Sequence, residues 1–157
     1  MNLKLALSDF DLNESNLSWV SPQTLVVRKW NWEYSLAHKF QRRAVELVHD
    51  NAGLKILICT SHPHVLTNGR GLQKPRKGEE FKLVDFKPEN YPMLPFPLHQ
   101  IERGGGLTFH HPGQFIFYPI TRLNPKTLSL SKMTDEIFDF SIEILKSWGV
   151  SDLGHEN

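Results

Sequence analysis

Two stretches of this chain combine residue types that do chemistry. The first runs Arg103-Gly104-Gly105-Gly106-Leu107-Thr108-Phe109-His110-His111-Pro112-Gly113-Gln114. Consecutive glycines cost backbone entropy on folding, so a folded chain keeps them where backbone must approach something closely. The run is not a dinucleotide fingerprint, which spaces its third glycine before a helix, nor a phosphate loop, which continues in Gly-Lys-Ser/Thr. Two readings stay open. The glycines are a floor whose N–H groups polarise a ligand carbonyl, or they are a β-bulge with a tight bend. Arg103 either binds a carboxylate or phosphate or pairs with an acid such as Glu102. On a strand His110 and His111 point to opposite faces. Beside the glycine floor, His110 would hydrogen-bond a ligand carbonyl or a nucleophile's proton; otherwise it is a satisfied structural histidine.

The second stretch is Ser61-His62-Pro63-His64-Val65-Leu66-Thr67-Asn68-Gly69-Arg70-Gly71. His62 and His64, two apart, would share a face on a strand, as two metal ligands do. With His110 or His111 and a carboxylate they would make a metal-dependent hydrolase, the most distant alternative. Pro63 argues for a turn instead, and no Asp or Glu stands at ligand spacing, so no metal is expected. Arg70 reads as a loop cation facing an anionic ligand or partner. Cys59 lies in an apolar run, where a thiol behaves as a small hydrophobe with a raised pKa rather than as a nucleophile.

The elements that must carry these residues follow from periodicity. Residues 1–23 read as a loosely attached arm and residues 24–157 as one domain. Thr24–Trp30 is a β-branched strand. Asn31 is an N-cap for a helix to Asp50, with Trp32, Leu36, Phe40, Ala44, Leu47 and Val48 on one face. Leu54–Thr60 is a buried strand, and regularity is then lost from Ser61 to Gln100. A strand follows over Gln114–Leu123. Ser131 caps a second helix to Trp148, with Met133, Ile137, Phe140, Ile144, Leu145 and Trp148 on one stripe and Gly149 as its stop. The fold class is α/β (α+β), a mixed sheet with packed helices.

Composition narrows the class further. Eighteen Lys and Arg against 17 Asp and Glu leave no basic field for nucleic acid. No apolar run is long enough to span a bilayer. Asp9, Asp11 and Glu14 interrupt any signal-peptide core, and a single cysteine fits no disulfide framework. The expectation is a cytoplasmic protein with no nucleic-acid and no membrane partner.

Taken together, these motifs resemble the lipoyl(octanoyl) transferase family, enzymes similar in fold to biotin and lipoate ligases. The family's Arg-Gly-Gly, its Gln-Val-Thr-Tyr-His-Gly-Pro-Gly-Gln and its strand ending in Tyr-Pro are matched by Arg103 to Gln114 and by Tyr118-Pro119. Its His-Pro-Pro-Val-Tyr-Thr-x-Gly-Arg is matched by His62 to Arg70, and Arg28 and Tyr34 also stand where the family expects them. ATP-using lipoate ligases follow their glycines with His-Asp and Gly-Asn, so Pro112-Gly113-Gln114 favours the transferase, with no cofactor.

The resemblance implies an octanoyl group carried on acyl carrier protein, moved to an enzyme cysteine, and delivered to a lysine of a lipoyl domain, in 2-oxoacid dehydrogenases and glycine cleavage H protein. Arg103, Gly104, Gly105, Gly106, Leu107, Thr108, Phe109 and His110 would then form the acyl-binding wall. Gly106 stands for the family's Gln, Phe109 for its Tyr and His111 for its Gly, and the last puts the pocket's width in doubt. The family's catalytic Lys and Cys would lie beyond Asn157, so no catalytic residue is assigned. The chain is expected to be the incomplete, inactive part of a ligase-like catalytic domain, or alternatively a non-catalytic acyl-carrier-binding module.

Overall fold

The computed structural model describes residues 6–70, 88–124 and 129–151. In chain order its strands and helices are β1 (Leu17–Ser21), β2 (Thr24–Lys29), α1 (Tyr34–Asp50), β3 (Lys55–Thr60), β4 (Val65–Asn68), β5 (Leu98–Gln100), β6 (Leu107–His110), β7 (Ile116–Ile120) and α2 (Leu130–Ser147). The chain divides into two compact units, Met1–Thr121 and Arg122–Asn157. The larger unit holds a four-stranded sheet in the order β1-β2-β3-β7 and a three-stranded sheet in the order β5-β4-β6. Both sheets are mixed. β2 and β3 are parallel while β1 and β7 run antiparallel to their neighbours; β4 is parallel to β5 and antiparallel to β6.

The first sheet and α1 make the main core. β2–α1–β3 is a βαβ unit, so the helix must lie against the face of the strands it connects. Leu25, Val27, Ile56 and Ile58 point into that face, and Ala37, Phe40, Ala44, Leu47 and Val48 meet them from the helix. Ala37 and Ala44 let the helix come close, while Phe40 fills the gap with its ring 5.3 Å from Phe10 and 5.6 Å from Trp32. Phe10 and Leu12 belong to this core, and β1 pairs along β2. The described part of residues 1–23 is therefore not a loose arm. Its apolar residues are too few for a periodic signal, yet they close the end of the core, and the Trp32 indole donates to the Phe10 carbonyl at 2.9 Å.

Helix boundaries differ from the sequence reading by a few residues. Asn31 is not the N-cap of α1: its φ is +51°, a left-handed conformation that Asn tolerates better than most residues. That turn drops Trp32 into the core and lets the backbone N–H groups of Asn31 and Trp32 donate to the Ser61 hydroxyl and carbonyl, both at 2.8 Å. Glu33 caps the helix instead, accepting from the Leu36 N–H. In the smaller unit, Ser129 rather than Ser131 caps α2 by accepting from the Lys132 N–H at 3.2 Å. Gly149, at φ +83°, ends it as expected, with Gly149 and Val150 donating to the carbonyls of Lys146 and Leu145. Taken by itself, α2 has no buried residue.

Order returns within the segment read as irregular, since β4 and β5 form there; residues 71–87 lie outside the described residues. β4 is held to the glycine run by a backbone-to-backbone approach. The Gly69 N–H donates to the Gly106 carbonyl at 3.0 Å and the Arg70 N–H to the Arg103 carbonyl at 2.9 Å. A Cβ on Gly69 would sit 2.6 Å from the Gly105 carbonyl oxygen and 2.8 Å from that of Gly104. Gly105 has φ +75°, whereas a Cβ on Gly104 would meet nothing within 4 Å.

These differences predict an order of sensitivity in urea unfolding. Gly104→Ala should be neutral within about 0.5 kcal/mol. Gly105→Ala should cost roughly 1 kcal/mol for the left-handed backbone. Gly69→Ala should cost most, about 3 kcal/mol or more, because backbone oxygens cannot step aside as side chains do. A Gly104 variant less stable than the Gly69 variant would contradict this packing.

Candidate functional site

The two sheets and α1 enclose a cleft of about 590 Å³, within the size range of small-molecule sites. From α1 come Tyr34, His38, Gln41, Arg42 and Val45; Thr108 and His110 come from β6, and Tyr118 to Ile120 from β7. Ile101, Glu102 and Arg103 complete it. The wall is mostly carbon, with polar atoms at a few points.

Aromatic and imidazole rings pack at its inner end. Tyr34 is buried. Its ring stacks on His110 at 6.0 Å and 18° and on His38 at 5.9 Å, and lies edge-on to His62 at 5.1 Å. His99 approaches the same ring at 5.1 Å. His62 is fully buried between backbone and phenol. Its Nδ1 stands 2.8 Å from the Trp32 carbonyl, which only accepts, so Nδ1 carries the proton. Nε2 then accepts from the Tyr118 hydroxyl at 3.1 Å. Burial pushes the His62 pKa down, against a smaller upward pull from the Trp32 carbonyl. Burial likewise lowers His110 and raises the Tyr34 and Tyr118 phenols. His62, His110, Tyr34 and Tyr118 are thus held in their neutral forms by burial, with the Arg103 guanidinium as the charge beside them. The buried Gln41 amide nitrogen makes no short hydrogen bond among the described residues, while the Gln41 side chain pulls the Tyr118 phenol down against burial; with two N–H groups it has one left to donate.

Glu102 lies 3.3 Å from Arg42 and 3.4 Å from His38. Its carboxyl is held below the usual range by its own backbone N–H and by Arg42.

Arg103 does not project toward an anion. One terminal nitrogen is within 3.2 Å of the Thr67 carbonyl and hydroxyl, the Gly106 carbonyl and the Thr108 hydroxyl, and the other donates to the Gly104 carbonyl at 2.9 Å. The guanidinium ties the glycine loop to β4 and β6. Strand alternation then divides the rest of the motif. Thr108 and His110 line the cleft, while Phe109 packs on the other face against His64, Phe96 and His111. Gly104 to Gly106, Leu107 and Phe109 are not part of the cleft wall, and neither is Cys59. Cys59 sits on β3 opposite Phe117, and burial raises its thiol pKa.

His62 and His64 do not share a face, because Pro63 turns the chain between them: His62 joins Tyr34 and Tyr118, and His64 stacks on Phe96. Among the described residues no group of three or more His, Cys, Asp or Glu side chains could hold a metal ion. The sequence reading missed His38, Gln41 and Val45. With Tyr34 they lie on the cleft side of α1, and their spacings of four, three and four were the available signal.

A mixed-sheet domain whose Arg-Gly-Gly-Gly loop borders a cleft lined by Tyr and His defines a class, and comparison with known proteins identifies it. Residues 33–154 match the lipoyl protein ligase A/B catalytic domain, and the chain belongs to that family. Its relatives are octanoyltransferases. That of Syntrophobacter fumaroxidans is 32% identical over 109 residues, covering 69% of this chain and 42% of the relative. That of Nostoc punctiforme is 31% identical over 118 residues, covering 74% and 47%. That of Bacteroides fragilis is 28% identical over 148 residues, covering 94% and 58%. The chain spans about half the length of the curated relatives it matches.

The paired histidines generate a pH prediction. Both have native pKa values below the ordinary value of about 6.5, so as pH falls the unfolded chain takes up their protons first. Their contribution to stability is full above about pH 6.5 and is lost as pH falls through the native values. Chemical unfolding between pH 5.5 and 6.5 should show stability rising with pH, the two histidines together contributing a slope of at most about 2.7 kcal/mol per pH unit. His62→Gln should remove roughly half of that slope; a flat profile in the parent chain would contradict the buried neutral pair.

Proposed function

We propose that this chain carries the acyl-binding part of an octanoyltransferase site, which takes an octanoyl group from acyl carrier protein and passes it to a lysine of a lipoyl domain. The observation that carries this reading is the cleft itself. It is apolar along Val45, Ile101, Pro119 and Ile120, holds its buried histidines and tyrosines neutral, and lies within the residues that match the family. An eight-carbon chain is stabilised by such a wall through the transfer of its methylenes out of water, at about 0.8 kcal/mol each. The thioester carbonyl then lies near the polar end, where the Gln41 amide nitrogen has an N–H to donate.

Acyl transfer proceeds through a tetrahedral oxyanion, and donors aimed at that oxygen lower the barrier. Arg103 contributes indirectly, by holding Thr108 and the glycine backbone in place. The nucleophile is a different matter. Cys59 has a raised thiol pKa and stands outside the cleft wall, so we assign it no acyl-enzyme step. In this reading the 157 residues bind acyl groups and carrier-linked acyl groups without turning them over, in the cytoplasm and with no cofactor. The acceptors are the lipoyl domains of 2-oxoacid dehydrogenases and glycine cleavage H protein.

Octanoyl-pantetheine titration by calorimetry tests the binding. It should bind, and Val45→Trp, which fills the cleft mouth from an exposed helix position, should weaken it about tenfold while butyryl-pantetheine is less affected, since several buried methylenes are displaced. Incubation with octanoyl-acyl carrier protein should leave Cys59 unmodified by mass spectrometry. A stable octanoyl adduct on Cys59 would overturn its exclusion, and equal affinity in the Val45 variant would overturn the cleft as the acyl site.

A further inference from the structure

His110 is an imidazole on the cleft wall whose two ring nitrogens are treated differently by their surroundings. Nδ1 lies 2.9 Å from the Gln114 amide oxygen. An amide oxygen has no hydrogen to give, so the contact is a bond only if Nδ1 carries the proton. Gln114 can reach because Pro112 and Gly113, the latter at φ +88°, turn the chain between β6 and β7, and the Gln114 N–H closes that turn on the His111 carbonyl at 3.2 Å. Gln114 does not line the cleft and His110 does. The ring is held flat against Tyr34 and edge-on to His62 at 5.5 Å. No hydrogen bond occupies Nε2 among the described residues. A neutral imidazole protonated on Nδ1 has a bare lone pair at Nε2.

We propose that Gln114 is a positioning residue that locks His110 in its Nδ1–H form, so that Nε2 presents an acceptor to the cleft and reads an N–H or O–H of the ligand. This rests on the acyl-binding reading above and deepens it. A fixed acceptor cannot bind the acyl carbonyl, which itself only accepts. It suits instead the nitrogen of the accepting lysine, or the amide N–H formed once the acyl group has moved. The carbonyl is left to a donor, and the buried Gln41 amide nitrogen is one. The cleft therefore separates the two ends of the new amide bond by hydrogen-bond polarity, with His110 on the nitrogen side. The other role open to His110 from residue type alone, bonding a carbonyl, does not fit the Nδ1–H form.

The groups facing His110 are compatible with a neutral ring. Tyr34 from α1 is a phenol raised by burial, and His62 is held neutral by burial; the Arg103 guanidinium adds positive charge that opposes protonation of His110, and the neighbouring His111 ring acts in the same direction. The Gln114 oxygen pulls the other way but does not overcome burial.

Nitrogen-15 NMR of the histidine rings in the 157-residue chain at pH 8 tests the lock without any ligand. Wild type should show His110 with a protonated Nδ1 and a bare Nε2. Gln114→Ala should lose the single form, both ring nitrogens moving toward averaged positions. Gln114→Glu keeps an acceptor on Nδ1 and should restore the single form while raising the His110 titration midpoint. A wild-type ring protonated on Nε2, or an Ala variant with an unchanged ring, overturns the lock.

N-Butyloctanamide and S-butyl thiooctanoate then test recognition, because they differ in one N–H. The amide should bind the wild-type and Glu chains about tenfold more tightly than the thioester, a difference of one hydrogen bond, and should shift Nε2. The Ala chain should lose the preference. Equal binding of both compounds with the lock intact overturns the nitrogen-side assignment. Failure of both to bind, with the lock intact, refutes the acyl-binding reading and with it the assignment, yet leaves the Gln114 lock standing.

Discussion

The approach of Gly69 to the carbonyls of Arg103, Gly104 and Gly105 is the contact on which the site depends. Two pieces of backbone, far apart in sequence, come closer than any side chain at position 69 would permit. Arg103 then reaches across the same junction to Thr67 and Thr108. A guanidinium is suited to this because its N–H groups are arranged in a rigid plane and never lose their charge. With the loop tied at both ends, β6 is set at a defined height against β4, pairing His110 with Val65 and Thr108 with Thr67. A register shift of one residue would turn His110 and Thr108 to the outer face and bring Phe109 inward. The chemistry of the cleft is therefore a consequence of strand register, and the register is secured by a glycine and an arginine.

A second junction positions the opposite wall. Where β2 and β3 end, the Thr60 hydroxyl donates to the Lys29 carbonyl at 2.6 Å, and Ser61 binds the backbone of Asn31 and Trp32. His62 follows directly and donates to the Trp32 carbonyl. The start of α1 is thus stitched to the strand that the helix leads into, and Tyr34 is delivered to His62 and His110 together. Burying polar groups is costly unless their bonds are made inside. Here each ring nitrogen of His62 has a protein partner, and the spare capacity falls on His110 and Gln41, which face the cleft. Unequal satisfaction of neighbouring groups marks where a ligand's own polar atoms belong.

Much of this was legible in the sequence, and the remainder was not for identifiable reasons. The stripe of α1 and the apolar runs of β2 and β3 carry strong periodic signals because they bury one face against a flat partner. The strands β4 and β5 have four and three residues, too short for a period to declare itself among prolines and glycines. The first residues of the chain were read as an arm because Phe10 and Leu12 belong to a core that only tertiary packing assembles. The glycine run was recognised, but its purpose was attributed to a ligand when the close approach is to Gly69. Residue type leaves Arg103 open between an anion and an acidic neighbour, and only the resemblance places it on the acyl-binding wall. Nothing in a sequence distinguishes an arginine that faces an anion from one that folds back on its own loop; only the positions of Thr67 and Thr108 decide it.

His111 posed the sharpest question of width, since its ring stands where relatives were expected to have none. Strand geometry answers it. His110 and His111 diverge at the end of β6, so the ring of His111 is exposed, bonded to the Pro112 carbonyl and leaning on Phe109, on the side occupied by His64 and Phe96. It takes no volume from the cleft. Phe109, in place of a tyrosine, lies on that same outer side, where losing a hydroxyl leaves the cleft's polarity unchanged. The substitutions that looked most disruptive within the motif therefore fall on the face away from the ligand. Those that keep the family pattern, Arg103, Thr108, His110 and Gln114, are the ones whose side chains line the cleft or hold its wall in place. Within β6 itself, residue alternation is enough to separate Thr108 and His110 from Phe109.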